Sequence, residues 1–336
     1  MPGAPRRLAS ISAALAPSPS PAATAAPSAP PAAYAFAPHQ SEAAVEFFRE
    51  WGFALLASTR SPAELRQLNE LCDASQRTHP ERWSQQASRA PGGGGGAGKL
   101  GSDLASPEQY MELLSPIMFH PELDDALIRG GWGWPVVEEL LGGPELCRFV
   151  QFDLRETPAA AENLEMKFHR DGARGGVRDG GSDRAADYIA AITLLSPSHD
   201  HTPNTVVVPG SAHVDAADID ELREKMGADY AEIVVQQPAG TTLLYDVRTF
   251  HTRRDPPEGD NHGRRTQHSY FSRHPAPPRG QWMIYPQRLA AHADPTVRRF
   301  YSNWNELMAG YAASGYEDAY LAEHGEELLM AYLSRP

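Results

Sequence analysis

Two runs of this chain carry residues able to do metal chemistry. The first, Glu165-Met166-Lys167-Phe168-His169-Arg170-Asp171, alternates polar and apolar side chains and ends in His-x-Asp. Such alternation predicts a strand, in which side chains i and i+2 share a face. His169 and Asp171 then project together, and Arg170 points the other way. An imidazole beside a carboxylate makes two thirds of the facial set that holds non-haem Fe(II) with coordination positions left open. The set needs a second imidazole from the end of a distant strand. The second run, Gly240-Thr-Thr-Leu-Leu-Tyr-Asp-Val-Arg-Thr-Phe-His251, ends in one. Further on, Arg264 opens another strand-like run, Arg264-Arg-Thr-Gln-His-Ser-Tyr-Phe271.

A single His-x-Asp says little in a chain with 13 His and 43 acidic residues, and His213-Val214-Asp215 repeats the spacing. Order carries more weight: His-x-Asp, a Pro-Gly-Ser turn at 209–211, a strand ending in His251, then Arg264. His213/Asp215 falls on the turn and the start of an acidic helix, so it reads as a local pair. His199, His201 and His262 lie in polar stretches and read as surface side chains. His268 shares a face with Arg264, as a substrate contact or as an inner-wall histidine.

This ordered set resembles the phytanoyl-CoA dioxygenase family of Fe(II)/2-oxoglutarate oxygenases, from about Gln151 to Phe271. Asn204-Thr-Val-Val-Val-Pro-Gly-Ser-Ala-His213 is similar to the family's Asn-rich strand and Pro-Gly-Ser-His turn, with Ala212 interposed. Gly240 to His251 is similar to its distal-histidine strand. The resemblance implies Fe(II) held by His169, Asp171 and His251, the catalytic centre, with 2-oxoglutarate and O₂ at the open positions. It implies that Arg264 clamps the C5 carboxylate of 2-oxoglutarate, the role for which an always-charged bidentate guanidinium is suited. Arg265 is the alternative, on the opposite face. Thr266, on the Arg264 face, adds a hydrogen bond, and Gln151 reaches the cosubstrate. The implied reaction is hydroxylation of a small molecule with release of succinate and CO₂. A carboxylate at Asp171 fits hydroxylation rather than halogenation. Two other readings stay open: a non-catalytic jelly-roll scaffold that keeps the metal site, and a zinc hydrolase. An arginine at Arg264 argues against zinc, which needs no such clamp.

The elements that must position these residues follow from the punctuation of the chain. Residues 1–41 are rich in Ala, Pro and Ser, contain no acid and carry Arg6 and Arg7. They are expected to be a disordered extension, in the style of an organellar transit peptide or without any address. A single domain follows over 42–336. Residues 42–145 are expected to be mostly helical support, with helices from Ser41, from Pro62, over 106–114 and from Pro135, and a Gly-rich loop at 91–99. That loop approximates a phosphate-binding motif but lacks the strand before it and the Ser or Thr after Lys99. Strands are expected at 147–154, 164–168, 188–195, 205–208, 232–236, 241–246 and 266–272, separated by turn residues. Such strands indicate a sandwich or barrel. With the resemblance, the fold expected over 146–275 is a double-stranded β-helix, a cupin-like jelly roll: mainly β with helical flanks, α+β overall. The Gly/Arg/Asp-rich insert after Asp171 is a candidate lid. The segment 276–336 is expected to be mostly helical, packed on the outer sheet or forming a homodimer surface.

Composition narrows the partners. The net charge of −13 excludes the basic footprint of a nucleic-acid binder. No run of 18 apolar residues suggests a membrane span. Cys72 and Cys147 are the only cysteines, too few for a disulfide framework. They are expected to be buried thiols in an intracellular protein, organellar if the extension is a transit peptide and cytoplasmic otherwise.

Overall fold

The computed structural model describes residues 34–78, 83–85, 111–114, 116–118, 123, 128–159, 167–171, 187–257, 260–274, 289 and 291–302. Most of the expected extension, the 91–99 loop, the insert after Asp171 and the C-terminal segment beyond 302 lie outside the described residues.

Among the described residues two sheets make the body. The larger has eight strands: β1 (Ala35–Phe36), β2 (Phe53–Leu56), β3 (Trp83–Gln85), β4 (Met111–Leu114), β5 (Cys147–Thr157), β6 (Tyr188–Leu194), β9 (Thr242–Asp246) and β11 (Arg264–Arg273), in the order β1-β2-β9-β6-β11-β5-β4-β3. The smaller has three: β7 (Asn204–Val207), β8 (Ile233–Val234) and β10 (His251–Arg254), in the order β10-β7-β8. From β5 on, the chain passes from the larger sheet (β5, β6) to the smaller (β7, β8), back to β9, across to β10 and back to β11, and helices flank this jelly-roll core.

The flanking helices are α1 (Ser41–Trp51), α2 (Pro62–Thr78), α3 (Gly133–Leu140), α4 (Ile219–Met226) and α5 (Pro295–Phe300). In α1 the apolar residues Ala44, Val45, Phe47, Phe48 and Trp51 fall on one stripe and are buried. Fully burying a side chain such as Phe53 or Leu55 stabilises the fold by about 1.5–3 kcal/mol. Gly52 ends α1 at φ +77, donating to the Phe48 carbonyl. A Cβ there would sit 2.8 Å from Thr249 Oγ1 and 2.9 Å from Ala212. The glycine is therefore needed both for its left-handed backbone and for close approach. Through its carbonyl it accepts from Asp246 N–H (2.9 Å) and the Thr249 hydroxyl (2.8 Å), while Gly210 N–H donates to the Trp51 carbonyl (2.8 Å). One helix end thus pins the turn before His251 and the Pro-Gly-Ser turn together.

Several expectations need correction. The strand expected at 241–246 is present as β9, but the chain turns after Asp246 and does not run on as a strand that ends in His251. The Asp246 carboxylate accepts from Arg248 N–H (2.9 Å) and is gripped by the Arg248 guanidinium (2.9 and 2.7 Å), which folds a turn. His251 therefore begins β10, in the other sheet, rather than ending a strand. The helix expected over 106–114 gives way at Met111–Leu114 to β4, which pairs with β5. The 11-residue β5 needs partners along both edges, and that demand outweighs helix propensity. Within the segment expected to be an extension, residues 34–41 are ordered onto the body: Tyr34 and Phe36 pack against Phe53 and Phe47, and β1 pairs with β2. The helix expected from Asp215 starts at Ile219, where the Asp218 side chain caps Asp220 and Glu221 N–H. Cys72 and Cys147 are buried and unpaired, and burial raises both thiols, Cys72 to about 12. Among the described residues no helix is long and apolar enough to cross a membrane.

Candidate active site

Backbone pairing brings the two key histidines face to face. His169 N–H donates to the His251 carbonyl (2.9 Å) and His251 N–H to the His169 carbonyl (3.0 Å). Residues that exchange both bonds across an antiparallel bridge point to the same side. Their rings lie 4.4 Å apart, centroid to centroid. The expected strand 164–168 is thus represented at His169 by a bridge to β10, and 164–166 lie outside the described residues.

Asp171 joins them two residues on. Its Oδ1 is 3.4 Å from His251 Nε2 and 3.7 Å from His169 Nε2. Donor atoms of the three residues all fall within 4.8 Å of one another. Each Nδ1 is engaged with a backbone carbonyl two residues upstream: His169 with Lys167 and His251 with Thr249, both at 3.0 Å. A proton on each Nδ1 leaves the Nε2 lone pairs directed at the same point as the carboxylate. Alternation sets the rest of the segment. Phe168 packs on the small apolar cluster around Val208, Leu222 and Phe250. The Arg170 guanidinium lies 4.2 Å over the Phe250 ring and donates to the Ser211 (2.9 Å), Val214 and Ala216 (3.1 Å) carbonyls. Arg170 thus ties the His-x-Asp segment to the Pro-Gly-Ser turn.

The charge state of Asp171 suits a ligand. Burial alone would raise its carboxyl, but the His251 and His169 imidazoles and the Tyr245 hydroxyl hold it well below the usual carboxylate range. Tyr245 donates to Asp171 Oδ2 at 2.7 Å. Burial and the neighbouring Asp171 charge push the Tyr245 hydroxyl well up, so it remains a protonated donor. The His169 and Asp171 side chains are 34% and 21% exposed against 7% for His251, so the cluster is reached from the His-x-Asp side. Two imidazoles and one ionised carboxylate converging on one point can hold a divalent transition metal, and a set of three protein ligands leaves the remaining coordination positions open.

The two adjacent arginines at the start of β11 go to opposite faces. Arg264 is buried and its Nη1 donates to Thr205 Oγ1 (3.1 Å), across to β7. Arg265 faces outward, held by Glu156 (2.8 Å at Nε), Asp73 (2.9 Å) and Asn69 (3.0 Å). Thr266 shares the Arg264 face, and its hydroxyl meets His268 Nε2 at 3.1 Å. His268 is buried; burial, then the Arg155 and Arg264 charges, push it well below its ordinary value, so it is neutral. Its Nδ1 has no hydrogen-bond partner among the described residues. Gln151, on β5, spends its amide on Asp153 Oδ2, which also receives Arg155 at 3.3 Å.

Sequence reasoning missed Tyr245, Asp153 and Arg155. A signal for the last two was present. Gln151, Asp153 and Arg155 alternate with Phe152 and Leu154, which puts the polar set of β5 on the face of Gln151. The register then seats Gln151 opposite Tyr270, Asp153 opposite His268 and Arg155 opposite Thr266.

No protein-family model and no curated protein matches the chain. Solved structures similar to it include the non-haem α-ketoglutarate-dependent carbocyclase SnoK from nogalamycin biosynthesis (16% identity, 69% of this chain and 83% of that one, TM-score 0.49). AviO1 from Streptomyces viridochromogenes Tue57 aligns at 18% identity over 71% and 98% of the two chains, TM-score 0.49. EctD from S. alaskensis aligns at 19% identity over 70% and 78%, TM-score 0.49.

Proposed function

We propose that this chain is an Fe(II)/2-oxoglutarate-dependent oxygenase that hydroxylates a small molecule and releases succinate and CO₂. One observation carries the reading: two imidazoles with their Nδ1 atoms anchored present Nε2 to a single carboxylate oxygen, within the reach of one ion. The resemblance of the ordered motif set to the phytanoyl-CoA dioxygenase family supports the same assignment.

In this reading His169, Asp171 and His251 hold Fe(II), which when bound supplies the activation of O₂ coupled to oxidative decarboxylation of 2-oxoglutarate. Asp171 contributes a full negative charge and needs no proton removed. Tyr245 keeps the second oxygen of that carboxylate occupied, fixing its rotation. Arg264 receives the far carboxylate of 2-oxoglutarate, with Thr205 and Thr266 beside it, and Gln151 lies on the same wall. Neutral His268 lines the space between clamp and metal without adding a positive charge that would repel the ion. The apolar side chains of β6 and β9 on that wall, Ile192 and Leu243 among them, keep bulk water from the reacting atoms.

The test is succinate formation from 2-oxoglutarate with Fe(II), ascorbate and a panel of small-molecule substrates. Wild type is expected to form succinate only with Fe(II) present, and one or more panel members to stimulate it. Absence of Fe(II)-dependent succinate across the panel, with no 2-oxoglutarate binding by calorimetry, would contradict the reading.

A further inference from the structure

A second cluster of metal-binding side chains lies outside the site described above. His201 belongs to the link between β6 and β7, and Asp260 and His262 to the link between β10 and β11. Donor atoms of the three lie within 4.8 Å of one another. His201 Nδ1 is 2.5 Å from Asp260 Oδ2, and His262 Nε2 is 4.0 Å from Asp260 Oδ1. The His201 and His262 rings stack at 5.0 Å with only 24° between their planes. All three side chains are about half exposed.

The backbone holds this arrangement in place. His262 N–H donates to the His201 carbonyl at 2.7 Å, joining the two links directly. On one side Thr202 and Asn204 both donate from their side chains to the His199 carbonyl (2.9 and 3.0 Å), closing a turn around His201. On the other, Gly263 N–H donates to Asn261 Oδ1 (2.8 Å), and Asn261 donates to the Pro158 carbonyl. The imidazoles are therefore presented to the carboxylate by segments already folded, which lowers the ordering cost of capturing an ion.

We propose that His201, Asp260 and His262 form a surface site for a borderline divalent transition metal such as Zn²⁺, with water completing the coordination. Two neutral imidazoles and a carboxylate are the donor types such ions take, and three protein ligands plus water is an established arrangement for zinc. His199 stays a neighbour: its Nδ1 accepts from His201 N–H (3.2 Å), so its ring proton sits on the other nitrogen. The ion would clip the two links together just before Thr205 and Arg264, the pair that joins β7 to β11. The site is thus a structural clip between the two links, beyond the end of β7 and β10 that is away from His251, and it stands whether or not the interior cluster holds iron.

The experiment compares Zn²⁺ uptake by the full chain and by its His201→Asn/His262→Gln variant, using calorimetry near pH 7.5. The interior cluster is common to both proteins, so its behaviour sets the absolute count and the surface site sets the difference. Wild type is expected to take up one more equivalent than the variant, and Asp260→Asn to weaken that equivalent by at least about tenfold. Zn²⁺ should also raise the melting temperature of wild type more than that of the variant. Equal stoichiometry and affinity in wild type and the double variant would overturn the proposal. Far-UV circular dichroism checks that both variants fold, and the half-exposed side chains lie outside the core.

Discussion

The Tyr245 hydroxyl donates to Asp171 Oδ2 at 2.7 Å, while Oδ1 of the same carboxylate faces His251 Nε2 at 3.4 Å. The two oxygens are thereby given different work. One is fixed by a buried phenol of β9, and the other is left for a metal ion. The Tyr245 ring also packs against the His251 ring, with centroids 4.6 Å apart and the planes tilted by 48°. It thus positions two of the three candidate ligands at once.

Replacing Tyr245 with Phe keeps the ring packing and removes only the donor. Fe(II) affinity, read from the Fe(II) dependence of succinate formation and from direct Fe(II) titration, is expected to fall about 10–100-fold. The fold should be unchanged by circular dichroism. An unchanged affinity would show that the hydroxyl does not position Asp171.

The arginines at the start of β11 are expected to separate cleanly. Arg264→Ala should raise the KM for 2-oxoglutarate about 10–150-fold, the loss of a charge-assisted bond worth about 1.5–3 kcal/mol. Arg265→Ala should leave that KM within about twofold. It should lower stability by about 1–3 kcal/mol in urea unfolding, because Glu156 and Asp73 lose their partner. The reverse pattern would assign the clamp to Arg265.

The buried neutral imidazole of His268 sets a pH dependence. Its folded value lies well below its ordinary value of 6.5, because of burial and then the Arg155 and Arg264 charges. At pH above that ordinary value it is neutral in both folded and unfolded chains and contributes no slope. As pH falls below it, the unfolded chain takes up a proton that the folded chain refuses. Stability is then lost at up to about 1.4 kcal/mol per pH unit until the folded value is reached. His268→Gln is expected to flatten the loss between about pH 6.5 and 5 relative to wild type, measured by urea unfolding at each pH. Parallel curves would show that His268 is protonated with little penalty.

How much of this was legible in the sequence differs from residue to residue. His169 and Asp171 share a side because alternation of period two survives any error in strand boundaries. The sheet content was readable for the same reason, from short apolar runs between turn residues. The path from the 241–246 strand to His251 was not readable, because nothing in residues 247–250 marks His251 as the start of a strand in the other sheet. The break depends on Asp246 capturing Arg248 and on Gly52, nearly two hundred residues away, bonding to Asp246 and Thr249. Met111–Leu114 was misread because a pairing demand from β5 is invisible to local propensity. His201 and His262 read as surface histidines, and they are exposed. Only the backbone bond between their two links puts their rings together.

The most direct test of the central claim is the visible absorption of the anaerobic protein with Fe(II) and 2-oxoglutarate. If His169, Asp171 and His251 hold one ferrous ion with open positions, wild type will show a weak metal-to-ligand charge-transfer band when both are added. Asp171→Ala, folded by circular dichroism, will lose it. A wild-type protein that stays featureless, or an Asp171→Ala variant that keeps the full band, would contradict the account.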